Sequence, residues 1–147
     1  MKQTVRLAVV VICLAFMAGV VANAQVPVKE GSVERVVLLH VNAGHGDAFW
    51  ADMKKNTVPI WEAQKAAGII TDYQWFVNQT TSNPDDWNVG YSLTYKNMAA
   101  LDGLADKAYD IRMKHYGDQS AEQKVLDKRV ENAHVVNSML IRDVTIR

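Results

Sequence analysis

The chain has 147 residues, and its 16 basic and 16 acidic side chains cancel to a formal net charge of zero with four histidines neutral. A balanced charge without a basic patch gives no footprint for nucleic acid. The single cysteine, Cys13, leaves no scope for a disulfide framework.

Residues 1–24 place Lys2 and Arg6 before an apolar run, Leu7 to Val21, that closes on Ala22-Asn23-Ala24. That layout is a secretory signal peptide with an A-x-A cleavage site, and the run is shorter than the roughly 20 residues a bilayer span requires. The expectation is an exported protein, periplasmic or extracellular and with no membrane attachment after cleavage. Its mature part, residues 25–147, would be a single domain. Cys13 would leave with the leader, excluding thiol chemistry, and loss of Lys2 and Arg6 would tip the net charge to about −2.

From Ser32 to Val41 the sequence SVERVVLLHV is rich in β-branched and aliphatic residues and reads as a central strand. One alternate set is Val33, Arg35, Val37, Leu39 and Val41, and the other is Glu34, Val36, Leu38 and His40. DAFWADMKKNTVPIWEAQKAAG follows as a helix, with Asp47 as cap and Gly68 as stop. Phe49, Trp50, Met53, Ile60, Trp61 and Gln64 form its inner stripe, and Pro59 predicts a kink or two short helices.

IITDYQWFVN and WNVGYSLTY, separated by QTTSNPDD, form a hairpin with a loop. A second helix opens at Asn97, carries Met98, Leu101, Ala105, Ala108 and Ile111 inward and stops at Gly117. Ser120 and Gln123 signal a capping box for a third helix that runs to about Asn132, and HVVNSMLIRDVTIR is the last strand. The order β-α-β-β-α-(α)-β is the α+β, ferredoxin-like arrangement: a four-stranded antiparallel sheet, helices on one face, and an extra helix before the last strand. Its bare face calls for a partner, so a homodimer is expected.

The segments VNAGHGDAFW, VPIWEAQKAAGII, NPDDWNVGYSLTYKN and NMAALD resemble the dimeric α+β barrel superfamily, in particular its small exported members of unknown function. The resemblance covers nearly all of residues 25–147. It implies two subunits packing sheet to sheet, with a pocket in each half, and no single chemistry.

Strand alternation sorts the hairpin into two sets. Trp87, Val89, Tyr91, Leu93 and Tyr95, with Ile69, Thr71, Tyr73, Trp75 and Val77, form the bulky set expected beneath the helices. His40, Asp72, Gln74, Phe76, Asn88, Ser92 and Thr94 are left for the bare face, where a dimer would enclose them as a polar-lined cavity. There His40 and Asp72 form a candidate general-base pair if they lie within hydrogen-bond reach, and Gln74, Phe76, Asn88, Ser92 and Thr94 are candidate ligand contacts. The opposite assignment would instead line a pocket with Tyr73, Trp75, Tyr91 and Tyr95.

His40, His45 and Asp47 have the donor types of a metal site, but their spacing matches no standard pattern, so no metal and no cofactor are expected. The leading expectation is a binding protein for a small, partly apolar molecule. The alternatives are a cofactor-independent oxygenase or isomerase acting on a phenolic or quinone-like substrate, with His40 as base and Asp72 or Asn88 assisting, and a purely structural or assembly role.

Overall fold

A computed structural model describes residues 27–146; the leader expected over residues 1–24 lies outside them. The elements are β1 (Val28–Val41), α1 (Gly46–Asp52), a π-helical turn (Met53–Thr57), α2 (Val58–Ala66), β2 (Asp72–Val77), β3 (Val89–Tyr95), a 3₁₀ turn (Met98–Leu101), α3 (Leu104–Tyr116), α4 (Gln119–Asn132) and β4 (Ala133–Ile146). The four strands form one antiparallel sheet in the order β2-β3-β1-β4. That is the expected ferredoxin-like arrangement, with β1 central.

Pro59 lies in the first turn of α2, directly after the π-helical turn. Proline has no N–H to continue the i to i−4 ladder, and the widened turn joins two α-helical pieces across that gap. Phe49, Met53, Ile60, Trp61 and Gln64 are buried along this composite helix as expected, joined by Thr57, whereas Trp50, expected in the same stripe, is exposed. Gly68, at φ +70°, ends it in the left-handed conformation that glycine accepts without a Cβ penalty. Asp47 is not the cap: His45 holds that position without a side-chain bond, and Asp47 sits in the first turn, where a carboxylate suits the helix dipole.

The second expected helix is broken. Asn97 caps the 3₁₀ turn by accepting from the Ala100 N–H at 3.1 Å, the chain extends at Asp102, and α3 starts only after Gly103. In α4 the cap is Asp118, which accepts from the Ala121 N–H at 2.8 Å, so the helix begins ahead of the Ser120–Gln123 pair.

The core lies between the helices and one sheet face. Val37, Leu39, Val41 and Val89 pack with Phe49 and Met53, while Leu93 and Tyr95 pack with Ile60, Trp61 and Ile70. Tyr73, Trp75 and Tyr91 adjoin the same clusters, so the bulky hairpin set faces the helices. Two residues depart from the alternation. Ile70 precedes β2 and turns into the core, and Trp87 precedes β3 and sets its ring edge against Phe76, 5.8 Å away, on the open face.

Candidate functional site

On the open face the register lines up rows across the sheet: Met139-Val36-Ser92-Gln74, and next to it Asn137-Leu38-Gly90-Phe76. The Phe76 ring lies over Gly90, where an added Cβ would come within 2.2 Å of it. The glycine is needed for that close approach. The centre of the face is therefore apolar, built from Val36, Leu38, Phe76 and Met139, and Ser92 within it is only 6% exposed. β4 forms one edge of the sheet and exposes Val135, Val136, Met139, Leu140, Ile141, Val144 and Ile146.

The structure does not bring the candidate base pair together. Asp72 shares a row with Thr94 and Glu34, whereas His40 is six residues further along β1, about 20 Å away by strand rise alone. Asp72 instead pairs with Lys65 at 2.7 Å, and the hydrogen bond from that ammonium holds its carboxyl below the usual range. The His40 Nδ1–H donates to the Asp86 carbonyl at 2.7 Å, and its ring stacks on His134 with centroids 5.2 Å apart. Asn88 is spent on the backbone: its Oδ1 accepts from the Val41 N–H at 2.8 Å and its Nδ2 donates to the Val41 carbonyl at 2.9 Å. Thr94 has its carbonyl taken by the Thr71 N–H at 2.8 Å, and Gln74 is exposed. His45 turns to Asn132 Oδ1 at 2.9 Å, so it and His40 are committed to different partners.

A cavity of about 420 Å³ opens on the opposite side of the sheet, between β1, the start of β4, α1 and α4. Its inner wall is Leu39, Phe49, Met53 and Tyr91, and its rim is Leu126, Val130 and Val135. Val130 is 73% exposed at that mouth. Three polar residues line this otherwise apolar shell, Tyr91, Arg129 and His134, whose ring is stacked on His40.

The π-helical turn positions the guanidinium. Arg129 Nε donates to Asp52 Oδ2 at 2.7 Å and its Nη2 donates to Thr57 Oγ1 at 3.0 Å. The Asn56 amide holds the other Asp52 oxygen at 2.7 Å. Asp52, Met53, Asn56 and Thr57 thus all contribute at or next to the widened turn, which presents Met53 to the cavity and Thr57 to the arginine.

Tyr91 is fixed by its ring, 4.9 Å from Trp61 and 5.2 Å from Trp75. Its hydroxyl makes no hydrogen bond among the described residues, yet no fully enclosed side-chain oxygen or nitrogen among them lacks a partner. The hydroxyl therefore keeps some access to solvent, and Tyr91 lines the cavity. Burial raises its pKa and the nearby Arg129 opposes that rise, so at neutral pH it is a phenol able both to donate and to accept.

No family model matches the chain, and no curated protein matches it. Solved structures do. A dabb family protein with a ferredoxin-like fold from Mesorhizobium loti is 18% identical over 80% of this chain and 99% of its own, with a TM-score of 0.45. A dimeric ferredoxin-like protein from an uncultured marine organism is 15% identical over 81% and 98%, at 0.46. HapK from Hahella chejuensis is 10% identical over 76% and 91%, also at 0.46. With its own element order and strand register, the chain is a ferredoxin-like α+β protein.

Proposed function

We propose that this protein binds a small, mostly apolar molecule in the cavity between the helices and the sheet, with a hydroxyl or keto group of the ligand meeting Tyr91 and Arg129. The observation that carries this is a 420 Å³ space walled by aliphatic and aromatic side chains, with Tyr91, Arg129 and His134 as the polar residues of its lining. Its size and its ratio of apolar to polar groups suit a small-molecule site. The reading moves the ligand from the polar open face to the other side of the sheet. The candidate pair His40 and Asp72 is not carried forward, because its members have separate partners.

2-Naphthol is a suitable probe, a flat apolar body with one hydroxyl. At roughly 0.5 kcal/mol for each of its 11 heavy atoms, its Kd would be on the order of 0.1 mM. Met53→Trp would fill the cavity. Saturable quenching of tryptophan fluorescence by 2-naphthol in the parent, weakened at least tenfold in a folded Met53→Trp variant, supports the proposal. No saturable quenching, or equal binding by the variant, would sink it and leave the structural role standing.

The open face supports a second element of the reading, a homodimer. A 14-residue edge strand whose outer side has no strand partner among the described residues, with apolar side chains on both faces, invites association unless it is covered, and Val36, Leu38, Phe76 and Met139 continue that surface across the sheet. A second copy is the occupant proposed. Sedimentation equilibrium should give twice the chain mass for the parent and a monomer for Met139→Asp; a monomeric parent contradicts it. Export stays with the leader reading of residues 1–24, and N-terminal sequencing of the cell-derived protein would test it, with Gln25 as the expected first residue.

A further inference from the structure

A second cavity, of about 340 Å³, lies further along the same cleft, between α2, α3 and the sheet. Its lining includes Arg35, Trp61, Gln64, Leu93, Tyr95 and Arg112. From α3 it is bounded by Ala105 and Ala108, whose small side chains leave the space unfilled.

Three polar features of this cavity have no structural employment. Gln64 is only 8% exposed, yet its side-chain amide makes no hydrogen bond among the described residues. Tyr95 is more deeply buried still, and its hydroxyl is equally without a partner among them. No fully enclosed side-chain nitrogen or oxygen among the described residues is unsatisfied, so both groups keep some access to solvent, and both residues line the cavity. Buried polar groups of this kind are paired with water or with a ligand that reaches them. Arg35 is the third feature: it points to the helix side of β1 between apolar neighbours and forms no ion pair among the described residues. Arg112 is half committed, its Nε donating to Glu122 at 2.9 Å while its terminal nitrogens remain.

We infer that this cavity is a binding site for a small aromatic carboxylate carrying a hydroxyl or keto group. With Arg112 balanced by Glu122, the site holds one uncompensated positive charge, Arg35, which matches a monoanion better than a phosphate dianion. A planar guanidinium takes a carboxylate through two parallel hydrogen bonds. Trp61, Leu93 and Leu104 offer flat apolar walls to a ring. The Gln64 amide and Tyr95 hydroxyl, each a donor and an acceptor, meet the polar substituent at the buried end. The site is separate from the Tyr91–Arg129 cavity, and the contact between the Trp61 and Tyr91 rings stands between them.

Calorimetric titration with 4-hydroxybenzoate tests this, with benzoate and 4-hydroxybenzamide as comparisons. The acid should bind, and the neutral amide should bind at least tenfold more weakly. Arg35→Gln, at an exposed position where folding is not at stake, should cost at least tenfold for the acid. Gln64→Leu should cost several-fold for 4-hydroxybenzoate and little for benzoate, so the amide's part is read from a ratio between ligands. No binding, equal binding of the amide, or an affinity unchanged in Arg35→Gln would overturn the inference. So would loss of binding in Arg129→Met with Arg35→Gln unaffected, which would place the acid in the other cavity.

Discussion

Replacing Arg129 by methionine removes the charge from the candidate site while keeping an unbranched side chain with good helix propensity in α4. It deletes the 2.7 Å bond to Asp52 and the 3.0 Å bond to Thr57, joining residues 77 and 72 positions apart in sequence. The Asp52 side chain is 15% exposed and would keep only the Asn56 amide. Hydrogen bonds to charged groups contribute about 1.5–3 kcal/mol, and the remaining solvent access argues for the lower part of that range, about 2 kcal/mol. For a domain of this size, with an unfolding entropy of roughly 0.25 kcal/mol/K, the melting temperature should drop by about 8 °C. Thermal circular dichroism of the parent, Arg129→Met, Asp52→Asn and the double variant checks it. The double variant should lose less than the two single losses together, by about 1 kcal/mol, because both remove the same interaction. A fall under 2 °C for Arg129→Met, or strict additivity, would refute the idea that this ion pair holds α4 to the π-helical turn.

Gly90→Ala should cost about 1–3 kcal/mol, because the new methyl would displace the Phe76 ring; in a Phe76→Ala background the same change should be close to neutral, as urea unfolding can show. The Tyr73 hydroxyl donates to Glu62, and that bond, with partial burial, pushes its pKa up to about 12. A raised pKa contributes stability that is whole below the unfolded value near 10 and lost as pH rises through 12. Urea midpoints should therefore decline between pH 10 and 12, and less steeply in Glu62→Gln. Tyr91, Tyr95 and Tyr116, raised mainly by burial, add declines of the same sign that the variant leaves in place. Asp72→Asn should shift the melting temperature by less than about 2 °C, since its pair with Lys65 is exposed; a larger fall would give that residue a role the geometry does not.

The polarity of the sheet was legible because alternation in β1 and β3 is a local property: Val37, Leu39, Tyr91 and Leu93 share a face wherever the strand lies. What alternation could not reach was the position of Asp72 relative to His40, since register is set by partners across the sheet and the two stand six positions apart in it. Trp87 was misassigned because it lies outside a ladder, where the two-residue period no longer applies, and Ile70 turns into the core from the same kind of position. The opposite strand assignment had put Tyr91 in a pocket; it does line one, but on the helix side that the favoured polarity gives it. Arg129 left no trace in the sequence, because its meaning depends on α4 meeting a turn more than 70 residues earlier. Arg35 and Gln64 were visible as polar members of the otherwise apolar sets Val33–Val41 and Phe49–Gln64.

The most direct measurement is a methyl-resolved NMR titration of the protein with 2-naphthol, because the two faces of the sheet carry separate reporters. Binding between helices and sheet predicts saturable shifts at Leu39, Met53, Leu126 and Val130, with Val36, Leu38 and Met139 unmoved. Shifts confined to Val36, Leu38 and Met139 would return the ligand to the open face and contradict the account.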